Sequence, residues 1–250
     1  MSAALSVQNV NLSYGGISAL KDITLTLPLG QTLGLIGPNG AGKTSFINVL
    51  SGFEAPTSGT VVVGGQTVTG ALPHVWAKAG IARTFQNAQV FSRLSVFDNL
   101  RVGLPKRSKA RGRFWASKEV QRQERDRVTE LLELFDLADH AKDLPASLTM
   151  VDLKKLEIAR ALISEPQLML LDEPAAGMTP QEASKLARVL NDKVLQGRSA
   201  IIIEHKTDFV ASLAARTAVL HQGQLIADGP TGEVLERADV RRVYLGGAVS

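Results

Sequence analysis

Gly37-Pro38-Asn39-Gly40-Ala41-Gly42-Lys43-Thr44 places three glycines, a lysine and a hydroxyl in the spacing G-x-x-x-x-G-K-[ST]. Glycines let backbone N–H groups turn inward around phosphate oxygens without a Cβ in the way. In this chemistry Lys43 reaches the β- and γ-phosphates of a nucleoside triphosphate, and the Thr44 hydroxyl ligates Mg²⁺. Ser45 follows in the opening turn of a predicted helix, whose N-terminal dipole favours the same anion. A plain glycine-rich turn would not need the lysine and threonine in register.

A second set of groups lies about 130 residues further on. Leu168-Met169-Leu170-Leu171 runs into Asp172 and Glu173. A carboxylate at a strand end beside a phosphate loop can hold Mg²⁺ directly or through water. The next carboxylate can act on an attacking water. His205 follows the apolar run Ala200-Ile201-Ile202-Ile203, where open parallel sheets present ligand-contacting side chains. His74, His140 and His221 lack that placement and read as structural or solvated.

These groups need a sheet to position them. Thr32-Leu33-Gly34-Leu35-Ile36 reads as a buried strand before the glycine loop, and Ser45–Leu50 as the helix after it. The runs at Leu168 and Ala200 suit parallel strands covered on both faces. Predicted helices at Gln181–Leu195 and Asp208–Ala215 supply crossovers. Leu5, Val7, Val10 and Leu12, then Ile23, Leu25 and Leu27, alternate roughly with polar residues, and with Val61-Val62-Val63 they predict a small antiparallel sheet. From about Val96 to Ser147 the pattern turns helical, with Val128, Leu131, Leu132 and Phe135 on one stripe, and Leu153–Leu162 reads as a further helix. The expected architecture is α/β: a P-loop NTPase core (RecA-like) with a small antiparallel β subdomain and an inserted helical subdomain. One domain is expected over 1–250, with 1–86 and 165–250 forming the core and about 87–164 the helical part.

The chain has no cysteine, so disulfides and thiolate metal sites are excluded. No apolar run approaches the roughly 18–20 residues that span a bilayer, and Met1–Ser6 has no basic or apolar signal region. Between Lys106 and Arg127 nine Lys/Arg face only Glu119, Glu124 and Asp126. A solvated helical arm is the expectation there; Phe114 and Trp115 are too few to form a stacking platform for single strands.

With these motifs in order, the whole chain resembles the nucleotide-binding subunit of an ABC transporter. In Ala82-Arg83-Thr84-Phe85-Gln86, Gln86 sits where that family has its Q-loop glutamine. Asp172 and Glu173 match the Walker B acid and the catalytic glutamate, His205 the switch histidine, and Tyr14 the aromatic that stacks on adenine. The resemblance implies ATP and Mg²⁺ as ligands, with Thr44, Gln86 and Asp172 around the metal. The stretches Leu156–Leu162, Glu173–Met178 and Tyr244-Leu245-Gly246 are similar to the larger ATPase subunit of branched-chain (hydrophobic) amino acid importers. Urea and short-chain amide importers share that type. A lipopolysaccharide-transport ATPase and a soluble ABC protein acting on nucleic acid or ribosomes are the alternatives; no nucleic acid is expected. The implied partners are membrane permease subunits, a second ABC ATPase (a heterodimer favoured over a homodimer) and, indirectly, a solute-binding protein, at the cytoplasmic face of the membrane.

Two segments depart from the family pattern. Its Leu-Ser-Gly-Gly-Gln signature, which contacts nucleotide on the opposite subunit, is here Leu148-Thr149-Met150-Val151-Asp152. Val151 is expected to obstruct the close approach that a glycine permits, and Asp152 to repel phosphate. Thr179 stands where an acid or amide is expected.

Overall fold

The computed structural model describes residues 3–86, 88–105 and 118–245. The basic residues from Lys106 to Arg113, with Phe114 and Trp115, and the terminal Gly246 lie outside them.

Two sheets organise the molecule. The first is antiparallel, in the order β2-β1-β4-β5, from β1 (Ala3–Tyr14), β2 (Ile17–Pro28), β4 (Ser58–Val63) and β5 (Gln66–Thr67). The second runs β10-β9-β3-β8-β7-β6, from β3 (Thr32–Ile36), β6 (Ile81–Arg83), β7 (Leu168–Asp172), β8 (Ser199–Ile203), β9 (Arg216–His221) and β10 (Gln224–Pro230). Its strands pair in parallel except for the β9–β10 hairpin.

The slip in alternation between Val7 and Val10 has a local cause. The β1–β2 register shifts there, Asn9 adopts φ +48°, and its side-chain amide donates to Asp22 Oδ1 at 2.6 Å. The bulge absorbs one step of the pleat, so Leu5, Val7, Val10 and Leu12 all stay buried.

Helices α1 (Lys43–Val49) and α2 (Pro73–Lys78) accompany the first half. The helical region consists of α3 (Val96–Val102), α4 (Lys118–Leu134) and α5 (Met150–Leu162); α6 (Pro180–Val189), α7 (Thr207–Leu213), α8 (Thr231–Glu236) and α9 (Ala238–Leu245) complete the chain. The crossover expected as one helix over Gln181–Leu195 is α-helical to Val189 and continues as a wider π turn at Leu190–Val194. In α4, Val128, Leu131 and Leu132 are buried together with Phe135 just beyond it. Burying each such side chain stabilises by about 1.5–3 kcal/mol.

Strand β7 shows why the core has two sides. Leu168 and Leu170 pack with the antiparallel sheet and α1, through Phe46, Val49 and Val7. Met169 and Leu171 pack with the helical side, through Leu156, Leu186 and Ala187. A period of two on a strand covered on both faces gives a continuous apolar run in sequence. The sheet's C-terminal edge is left to carry the polar groups.

Candidate active site

Each functional side chain lies at the C-terminal end of a parallel strand or just after it. Strand β3 delivers the glycine loop. Gly37 has φ +156°, and a Cβ there would stand 2.1 Å from the Leu220 carbonyl oxygen, so β9 tolerates no side chain at that step. Gly42 caps α1 at φ +105°. The loop is stitched to its surroundings by backbone: Lys21 N–H donates to the Gly223 carbonyl at 2.8 Å, and Gly223 N–H to that of Ala41 at 2.9 Å.

The resulting cleft encloses about 590 Å³. It brings together Asn39, Gly40, Ala41, Gly42, Lys43, Thr44, Ser45, Gln86, Asp172, Glu173 and His205. Gly37 and Pro38 do not line it; their carbonyls accept from Lys43 Nζ at 2.6 and 3.0 Å. Tyr14 is not on its wall either. It sits half-exposed at the tip of the β1–β2 hairpin, paired with Ile17, which does line the cleft. Lys21, Gln222 and Gly223 are lining groups that the motifs did not announce. They reach the cleft only because two hairpins fold back onto the loop.

Glu173 is the centre of the arrangement. It occupies the left-handed region at φ +48°, a conformation that costs a non-glycine residue of order 1 kcal/mol or more and clusters at functional sites. Its backbone N–H donates to the Ile203 carbonyl at 2.9 Å. The carboxylate is spanned from both sides: Gln86 Nε2 donates to Oε2 at 3.2 Å, and His205 Nε2 lies 3.2 Å from Oε1. Glu204, whose role no motif signalled, is buried and fixes this corner from behind. It accepts from Ala175 N–H at 2.8 Å and from His205 N–H at 3.1 Å.

Burial and charge oppose one another here. Burial lowers the Lys43 ammonium from its ordinary value, against the attraction of Glu173 and Asp172. Burial raises the Asp172 carboxyl, and the Arg83 guanidinium 3.2 Å away pulls it back. Asp172 N–H donates to Thr84 Oγ1 at 3.0 Å, which ties the strand end to the segment carrying Gln86.

That segment is tied to α5 as well. Glu157, buried, accepts from Phe85 N–H at 2.9 Å and Gln89 N–H at 3.1 Å. Lys154, buried beside it at 3.6 Å, donates to the Phe85 carbonyl. The expected metal chemistry suits the donors present. Mg²⁺ takes oxygen ligands, keeps several waters and is bound through one or two protein groups plus phosphate. Thr44 and Asp172 share the cleft, and no hydrogen bond to Asp172 Oδ1 forms among the described residues.

Leu148, Thr149, Met150, Val151 and Asp152 do not line this cleft. Thr149 caps α5: its Oγ1 accepts from Asp152 N–H at 3.1 Å and donates to Asp152 Oδ2 at 2.7 Å. Asp152 also pairs with Lys155 at 3.4 Å. Val151 is half-buried against the helical core, while Thr149 and Met150 are exposed. Thr179 likewise caps α6 in a reciprocal box with Glu182.

The model of the family described as ABC transporter matches residues 20–176. The chain belongs to the ABC transporter family. It is 34% identical over 251 residues to the high-affinity branched-chain amino acid transport ATP-binding protein LivG of Escherichia coli K12, covering 98% of each chain. It is also 34% identical over 245 residues to the lipopolysaccharide export system ATP-binding protein LptB of the same organism, again over 98% of both. Among solved structures, the ADP conformation of MJ1267, an ATP-binding cassette of an ABC transporter, superposes with a TM-score of 0.84 at 28% identity, over 98% of this chain and 99% of that one.

Proposed function

We propose that this chain is the ATP-hydrolysing subunit of an importer for branched-chain or other hydrophobic amino acids. The observation that carries the reaction is the Glu173 carboxylate held between Gln86 and His205 over the glycine loop. Similarity to LivG over nearly the whole chain supports the substrate class.

ATP lays its phosphates along the amides of Asn39–Ser45, and Lys43 exchanges its two carbonyl partners for phosphate oxygens. Glu173 accepts a hydrogen bond from a water and aims its oxygen at the γ-phosphorus. The new P–O bond forms as the bond to the β,γ-bridging oxygen breaks, releasing ADP and inorganic phosphate. Charge that develops on the departing oxygens falls to Lys43 and the loop amides. Thr44 and Asp172, with Gln86 nearby, would hold Mg²⁺, which would supply neutralisation of phosphate charge. His205 senses the γ-phosphate, and Tyr14 at the hairpin tip offers a ring for adenine.

The signature residues lie off this cleft, so turnover requires a second ATPase chain to supply them. Thr149 and Asp152 are already committed to capping α5. The half-site lent to a partner is therefore the weaker of two, and a heterodimer with unequal sites follows. A permease partner fits the exposed apolar side chains Phe53, Leu72, Val75 and Phe91, of which Phe53 touches Phe85 beside Gln86.

Calorimetry on the purified chain tests the reading: magnesium-ATP binds, while hydrolysis stays slow until a second cassette is added. Vigorous, cooperative turnover by the chain alone would overturn the unequal-site dimer. Glu173→Gln keeps binding and lowers turnover roughly 100-fold or more. LptB supports lipopolysaccharide export as a second reading. Recovery of an amino-acid permease rather than an export complex from mild-detergent extracts decides between them.

A further inference from the structure

Arg83 ends β6 with its side chain buried in a polar and aromatic seat. Nη2 donates to Asp172 Oδ2 at 3.2 Å. Nη1 donates to Asn48 Oδ1 at 2.7 Å and to Ser51 Oγ at 2.9 Å. The guanidinium carbon lies 4.8 Å from the ring centre of Phe85 and 5.6 Å from that of Phe53. One planar group thus joins the C-terminal end of α1, the end of β7 and the segment that carries Gln86.

Stability alone accounts poorly for this cation. A buried ion pair is commonly matched or bettered by apolar side chains of similar volume, and Arg83 Nε is buried with no hydrogen-bond partner. The geometry suits a different task. Arg83 takes one carboxylate oxygen of Asp172 and leaves Oδ1 without a hydrogen bond among the described residues. Groups that orient a metal-ligating carboxylate from behind contribute to metal affinity without touching the metal.

We propose that Arg83 is a positioning residue for Mg²⁺ at the nucleotide: it sets the Asp172 carboxylate and couples that setting to the Gln86 segment. This rests on the cleft being a magnesium-nucleotide site, and the two claims fail separately. ATP binding is measured by calorimetry in excess Mg²⁺ and in EDTA. A wild-type chain that binds ATP in neither condition sinks the site itself. Given binding, Arg83→Gln is expected to hold its EDTA affinity within about two-fold while the gain from Mg²⁺ shrinks roughly 10-fold or more. Arg83→Lys keeps the charge but not the planar fork, so its loss falls between the two. Asn48→Ala removes one anchor and gives a smaller loss of the same Mg²⁺-selective kind. An equal fall in both conditions, or no change, overturns the proposal. If Arg83→Gln does not fold, the Lys and Asn48→Ala variants decide on the same criterion.

Discussion

The cleft at the ends of β3, β7 and β8 and the first turn of α5 are built on opposite terms. In the cleft, groups are held against their local preference. Glu173 sits at φ +48°, Lys43 is charged yet buried, and Asp172 is raised by its surroundings. In the first turn of α5 the polar groups answer one another: Thr149 caps the helix, Asp152 returns the hydrogen bond, and Lys155 neutralises it. A site kept under tension has interactions left to give a ligand. A turn that has satisfied itself has fewer.

The contrast breaks most sharply at Lys43. Lys43→Ala should cut ATP binding and turnover roughly 100-fold or more, because it removes charge stabilisation in the water-excluded cradle; nucleotide titration checks this, and a near-normal affinity would end the cleft's claim to the chemistry. Next is the link between the two regions. Glu157→Ala strands Lys154 and two backbone N–H groups in the interior, and should cost about 3–5 kcal/mol in denaturant unfolding. A loss under ~1 kcal/mol would show the tether to the Gln86 segment to be loose.

Val151→Gly sharpens the comparison from the other side. It should cost about 1–2 kcal/mol, from helix propensity and lost packing, while raising turnover at the partner's site if the valine obstructs approach. An unchanged rate in the assembled dimer would remove steric obstruction as the reason for weakness. Thr149→Ala should cost ~1 kcal/mol as a lost N-cap and leave nucleotide affinity of the chain alone untouched.

The smallest effect is a slope. Because the folded-state pKa of Asp172 lies above its unfolded value, its contribution is most favourable when protonated and is lost as pH rises through the raised value. Wild-type stability relative to Asp172→Asn should therefore fall as pH climbs through the carboxylate range. A rise in that difference would mean that Arg83 outweighs burial.

Much of this was legible because it is local. The glycine loop, the acid pair and the apolar runs of β7 and β8 are consecutive residues whose spacing states their geometry. The stripe ending at Phe135 likewise needed only a period of 3.6. What the chain order hid were partnerships across it. Arg83 meets Asn48 and Asp172, Glu157 meets Phe85, and Lys21 meets Gly223; none of these pairs shares a motif. Strand β6, three residues long, is too short to show a period, and the β9–β10 hairpin does not alternate: β9 buries Thr217 to Leu220 in a row and β10 follows no regular pattern. Nor does the spacing reveal that Val151, expected to obstruct a close approach, rests half-buried against the helical core next to an exposed Met150.

The stitching of the glycine loop to the β9–β10 turn has a temporal corollary. The loop opens at Gly37, but its braces are the carbonyl of Leu220 and the backbone of Gly223. A chain leaving the ribosome carries the phosphate-binding sequence long before it carries the frame that shapes it. The shape that grips a nucleotide therefore waits on synthesis through Gly223, long after Gly37 to Thr44 have been made.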